Sequence, residues 1–105
     1  MRKVYICSPY RGDVDRNVAN ARRYCRMAVE KGFIPVAPHI YFTQFLDDAI
    51  ESERVAGINA GIELMNECCE VWVFDSPTEG MRQEIECAER NGIPVKRFWS
   101  HLTIS

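Results

Sequence analysis

The sequence predicts one α/β domain: an open parallel sheet of about four strands with helices on both faces. Three observations lead there. Short β-rich runs alternate with longer helical patterns along the whole chain. The first β-run is apolar without alternation, as strands buried on both faces are. Glycines follow the helical patterns where a helix would end. The order β-α-β-α-β-α-β then calls for right-handed crossovers and a parallel sheet. A chain of 105 residues is a single domain over 1–105, burying roughly two-thirds of its unfolded surface.

Val4-Tyr5-Ile6-Cys7 is the first strand, a continuous apolar run. Asp15 to Lys31 follows as a helix, with Val18, Ala21, Arg22, Cys25, Ala28 and Val29 at helical spacing, and Gly32 ends it. Phe33 to Ala37 is the second strand, and its Pro35 argues for an edge. Pro38-His39-Ile40-Tyr41-Phe42 reads as a rigid aromatic loop. From Thr43 to Cys68 the pattern is helical in two pieces, the second placing Val55, Ile58, Ile62 and Met65 on one face. Val71 to Phe74 is the third strand. The turn Asp75-Ser76-Pro77-Thr78-Glu79-Gly80 leads into a helix from Met81 to Asn91, which Gly92 stops, and Pro94 to Phe98 is the last strand. So small a sheet leaves a helix face to be covered by a second subunit, and a homo-oligomer is expected.

Composition narrows the function classes. The 47% hydrophobic and 27% charged fractions are those of an ordinary globular protein. A formal charge of -2, with no basic cluster beyond Arg22-Arg23 and Lys96-Arg97, gives no footprint for a nucleic-acid polymer. The N-terminus enters a strand directly, and no apolar run approaches a membrane span. A cytoplasmic protein that does not touch the membrane is expected. The cysteines Cys7, Cys25, Cys68, Cys69 and Cys87 are odd in number and lack framework spacing, so they read as reduced thiols used as small core hydrophobes. His39 and His101 are far apart in sequence, and with no Cys/His cluster neither a metal site nor a cofactor is expected.

In an open parallel sheet, ligands bind beyond the carboxyl ends of the strands. The loops there are Ser8-Pro9-Tyr10-Arg11-Gly12-Asp13, then Pro38 to Phe42, then Asp75 to Gly80, and they gather Ser, Tyr, Arg, Asp, His and Thr. The opposite ends carry plain turns such as Lys31-Gly32 and Asn91-Gly92. Functional loops share one edge in this way. Glu84 is the most informative residue. It lies three after Met81 and four before Ala88, inside the stripe that Met81, Ile85 and Ala88 turn inward. An inward carboxylate costs several kcal/mol unless it is paired or has a purpose. A place near the first turn lets the helix dipole favour the anion, as a nucleophile or base requires. The plain alternative is a carboxylate paired with Arg11 or Arg82, or one that reaches out to water. Ser76-Pro77-Thr78-Glu79 fits a capping box, and the same backbone with Gly80 equally fits an anion cradle at the helix N-terminus. Asp75 is a site acid or a turn-former. No G-x-G-x-x-G or P-loop lysine occurs.

Val-Tyr-Ile-Cys-Ser-Pro-Tyr at 4–10, Ala-Pro-His at 37–39, Val-Trp-Val-Phe at 71–74 and Gly80-Met81-x-x-Glu84-Ile85 occur in order. This ordered set, covering essentially the whole chain, resembles the nucleoside 2-deoxyribosyltransferase-like superfamily. Its nearest branch is the short bacterial and phage proteins related to deoxynucleoside 5′-monophosphate N-glycosidases. The resemblance implies a small flavodoxin-like or Rossmann-like three-layer domain. It also implies cleavage or transfer at the N-glycosidic bond of a deoxynucleoside or its 5′-monophosphate, without metal or cofactor. By the same resemblance Glu84 attacks the anomeric carbon, while Thr78, with Ser76, meets the 5′ end. Ser8, Tyr10 and Arg11 contact base and sugar, with Gly12, His39, Gly80 and Met81 completing the substrate site. Tyr10, Asp75 or His39 is left to protonate the departing base. Relatives carry an aspartate in the helix before the third strand. This chain has Gly57-Ile58-Asn59-Ala60-Gly61-Ile62-Glu63 there, leaving Asn59 or Glu63 to stand in. The rivals are a module that binds a nucleotide or ADP-ribose-type ligand without turnover, and an interaction protein that kept the fold and lost the site.

Overall fold

A computed structural model describes residues 2–99. The strands are β1 (Lys3–Cys7), β2 (Ile34–Val36), β3 (Glu70–Phe74) and β4 (Val95–Phe98), all parallel in the order β2-β1-β3-β4. The helices are α1 (Val14–Glu30), α2 (Pro38–Tyr41), α3 (Glu51–Asn66) and α4 (Glu79–Arg90). This is the three-layer α/β domain that the sequence predicts. Pro35 lies on an edge strand, where its missing N–H costs no ladder bond. Gly32 and Gly92 follow the C-caps of α1 and α4 at φ +87 and +72, in the left-handed region that glycine enters without a Cβ penalty.

The two sheet faces carry separate cores. Val4, Ile6, Trp72 and Phe74 pack with Tyr24 and Ala28 of α1 on one side. Tyr5, Cys7, Val71 and Val73 pack with Met65 of α3 and Met81, Ile85 and Ala88 of α4 on the other. Strand order reverses between β1 and β3, so the crevice above their carboxyl ends is where such sheets take ligands.

Four local expectations are corrected. Pro38 to Phe42 is not a loop: Pro38 occupies the first position of α2, where its fixed φ suits a helix, and a 3₁₀ turn over Phe42–Gln44 follows. The segment from Phe45 to Ile50 is irregular, so the helical reading from Thr43 begins too early. On α3, Val55 and Ile58 are 41% and 45% exposed, whereas Gly61 and Met65 are buried. Glycines share the contact with Ile62 and Met65: a Cβ at Gly57 would sit 3.5 Å from Leu46, and one at Gly61 3.6 Å from the Tyr5 hydroxyl. A glycine face carries no hydrophobic signal. Finally, α4 starts at Glu79 rather than Met81.

All five cysteines are free, with Cys7, Cys68 and Cys87 buried. No helix of the described residues is long and apolar enough to cross a membrane. No group of three or more His, Cys, Asp or Glu among them could hold a metal ion. His101 lies outside the described residues.

Candidate active site

α4 aims Glu84 at the sheet. Thr78 caps the helix, its hydroxyl oxygen accepting from the Met81 amide at 3.3 Å, while the Thr78 amide reaches the Met81 sulfur at 3.5 Å. Ser76 is therefore not the cap, and Glu79, expected to close a capping box, sits one residue inside the helix and pairs with Arg82 at 3.7 Å. The earlier helix start also puts Glu84 in the second turn, where little remains of the dipole's pull.

What holds Glu84 comes from β1. The Tyr5 hydroxyl donates a hydrogen bond to Oε2, and the Cys7 thiol approaches Oε1 at 3.5 Å. Tyr5 and Cys7 are two apart on one strand, so both face α4. The arginines that offered the plain alternative are engaged elsewhere: Arg11 pairs with Asp48 at 2.5 Å, and Arg82 with Glu79. Among the described residues no cation bridges to Glu84. Burial raises its pKa above the ordinary carboxylate value, and the bonds from Tyr5 and Cys7 draw it partly back. Burial, then the Glu84 charge, pushes the Tyr5 hydroxyl and the Cys7 thiol well up, so both remain protonated donors. A half-buried carboxylate held by neutral donors, with no ion-pair partner among the described residues, can attack an electron-poor carbon or stabilise a cation.

Ser8 and His39 come together at the end of β1, with Oγ and Nε2 2.9 Å apart. Burial lowers the pKa of His39 to about 4, which leaves a neutral ring at physiological pH and makes it a poor proton donor to a leaving base. Tyr10 lies in the same loop and lines a shallow cavity of 460 Å³ with Phe45, Leu46, Asp47, Asp48 and Glu53. Neither Tyr5 nor Glu84 is in that lining. Arg11 and Gly12 are exposed, and the Arg11–Asp48 pair ties the first loop to the cavity rim. Ser76, Thr78 and Gly80 are exposed around the start of α4, while Met81 is buried beneath them.

Two expected members stand apart. Asp75 has φ 62, a left-handed conformation that Asp tolerates better than most residues, and its carboxylate accepts from Tyr24 of α1 at 3.2 Å. It therefore serves the α1 side of the sheet, opposite Glu84. Asn59 and Glu63 are exposed, each two residues from Gly61 and so on the far side of α3. Neither stands in for an aspartate beside Glu84; it is Gly61 of α3 whose Cβ position would lie 3.6 Å from the Tyr5 hydroxyl. Tyr5 and Cys7 were missed because their run reads as uniformly apolar. The usable signal was period two: if α4 covers the odd positions of β1, a hydroxyl and a thiol meet its inward glutamate.

A family profile described as a domain of unknown function, DUF7768, matches residues 2–98. No curated protein matches the sequence. Among solved structures, a 2-deoxyribosyltransferase from Bacillus psychrosaccharolyticus superposes with TM-score 0.77 at 15% identity, over 92% of this chain and 72% of its own. A 2-deoxyribosyltransferase from Leishmania mexicana gives TM-score 0.70 at 19% identity, over 94% of this chain and 65% of its own. At these identities the likeness is one of fold, and the chain spans about two-thirds of the Leishmania protein's length.

Proposed function

The chain belongs to the DUF7768 family, and we propose that it cleaves or transfers at the N-glycosidic bond of a deoxynucleoside or deoxynucleoside 5′-monophosphate. The observation that carries this reading is Glu84, a half-buried carboxylate bonded by Tyr5 and Cys7 with no pairing cation among the described residues. The fold shared with two 2-deoxyribosyltransferases supports it.

In the first step Glu84 attacks the anomeric carbon. A bond from that carbon to a carboxylate oxygen forms as the bond to the base nitrogen breaks, through an oxocarbenium-like state that the carboxylate stabilises. The base leaves with a proton. Tyr10, beside the cavity, is the donor we assign, because Asp75 turns to Tyr24 and His39 is neutral. In the second step water or another base attacks the same carbon and frees Glu84. Ser8, Arg11, Gly12 and His39 form the sugar and base side. Ser76, Thr78, Gly80 and Met81 form the side that meets the 5′ end; the Thr78 hydroxyl accepts from the Met81 amide and keeps its own O–H to donate. No metal or cofactor enters. We place the protein in the cytoplasm and propose a homo-oligomer, with Val55 and Ile58 of α3 covered by a second copy. A monodisperse monomer in light scattering would rule that assembly out.

One observation favours the rival binding module: α3 turns Gly61, and no carboxylate, toward Tyr5. Chromatography for free base separates the readings, using deoxynucleosides and their 5′-monophosphates with and without an acceptor base. Release by wild type and none by Glu84→Gln supports the enzyme, and acceptor dependence distinguishes transfer from hydrolysis. Tight nucleotide binding with no release from any substrate would transfer the protein to the rival class.

A further inference from the structure

Cys7 is a buried polarisable group for which glycosidic chemistry has no evident use. It is 1% exposed and sits two residues beyond Tyr5 on the strand face that α4 covers. Its sulfur has two acceptors in reach, Glu84 Oε1 at 3.5 Å and the Met81 carbonyl at 3.9 Å. A thiol has one proton and serves one acceptor at a time. The ionised carboxylate is both the nearer and the stronger acceptor.

We propose that Cys7 is a positioning residue for Glu84, its S–H donating to Oε1 while the Tyr5 O–H donates to Oε2. The inference rests on the reading of Glu84 as the attacking carboxylate. A glutamate carries several rotatable bonds, and a single donor on one oxygen leaves the carboxylate free to turn about the last of them. Donors on both oxygens remove that freedom. Both come from β1, which is hydrogen-bonded to β2 on one side and β3 on the other, so the pair is presented by a rigid support. Orientation of this kind is what a reacting group gains from a preorganised site. The thiol acts as a donor and not as a nucleophile, since burial and the Glu84 charge keep it protonated. The Met81 carbonyl supplies a second acceptor once the negative charge on Glu84 is spent in a bond to the sugar.

The test is the titration of the Glu84 carboxyl carbon, followed by carbon NMR in wild type, Cys7→Ala and Cys7→Ser. Removing the donor should raise the midpoint by about half a pH unit, and the serine hydroxyl should recover most of that shift. Equal midpoints in all three proteins, or a serine variant that follows the alanine one, would overturn the proposal. Should the variants fail to fold, the infrared S–H stretch in wild type decides. The band absent or displaced in the Glu84→Gln difference spectrum should move to lower frequency as Glu84 ionises, and a band indifferent to that titration refutes the bond. These readouts need no turnover. Midpoints in the expected order with no base release would leave the positioning bond standing and remove the glycosidic reading. With release present, Cys7→Ala should lower kcat several-fold at unchanged KM, and Cys7→Ser should restore it.

Discussion

The two faces of this sheet are made by the same strands and do different work. Val4, Ile6, Trp72 and Phe74 face α1 and form a closed aromatic pack. Tyr24 stacks on Phe74 with ring centres 3.9 Å apart, and Phe98 lies 5.1 Å from both Trp72 and Phe74. The alternate residues, Tyr5 and Cys7, face α4 and bring a hydroxyl and a thiol against a carboxylate. One face gains from apolar burial and ring contact. The other accepts the cost of a charge that no cation pairs among the described residues. Stability and chemistry are thus divided by strand alternation, within four consecutive residues of β1.

The largest effect on activity falls on the polar face. Glu84→Gln should lower base release at least about a thousandfold, measured chromatographically. It should not cost stability. Because the folded-state pKa of Glu84 is raised, the folded chain holds the proton more tightly than the unfolded one, so stability falls as pH rises through the Glu84 titration. The glutamine cannot ionise, and the variant should melt at or above the wild-type temperature at about pH 8. The largest effect on stability falls on the other face: Phe74→Ala should cost about 3–5 kcal/mol in urea unfolding, with base release per folded molecule near wild type. If that variant lost activity as fully as Glu84→Gln, the division between the faces would not hold.

Smaller effects refine the division. Tyr5→Phe removes a charge-assisted bond and should slow base release roughly ten- to a hundredfold, with the Glu84 midpoint moving further up. His39 should appear in stability against pH. Its folded-state pKa of about 4 lies below the ordinary 6.5, so the unfolded chain takes up the proton first, and stability should fall as pH drops from 6.5 toward 4. Thermal melts of His39→Gln should lack that fall. The smallest effect is at Gly61. A Cβ there would meet the Tyr5 hydroxyl at 3.6 Å and Pro38 at 3.8 Å, both ordinary contacts. Gly61→Ala should gain up to about 1 kcal/mol in urea unfolding from helix propensity, and base release should stay within about twofold of wild type, since a methyl group at that distance displaces neither Tyr5 nor Glu84.

The frame of the fold was legible because apolar runs and glycine stops are local signals. Pro35 marked the edge strand for the same reason. The inward turn of Glu84 could be read from its spacing to Met81 and Ala88. Its partners could not, because in a run buried on both faces every residue looks alike until a neighbouring helix is assigned to one side. The packing of α3 was half hidden for a related reason: Ile62 and Met65 pack into the core as periodicity indicates, but Gly57 and Gly61 share the contact, and Val55 and Ile58 are exposed. Asp75 sits where the sequence placed it, at the end of β3. Its positive φ, which no residue pattern announced, turns it toward Tyr24.

The central claim is that Glu84 forms a bond to the sugar, and the most direct measurement is mass spectrometry of the rapidly acid-quenched enzyme during turnover of a substrate that releases base. The account predicts an added deoxyribosyl mass on the peptide carrying Glu84 and none on the Glu84→Gln protein. Base release with no adduct at Glu84, or with the sugar carried on another residue, would contradict it.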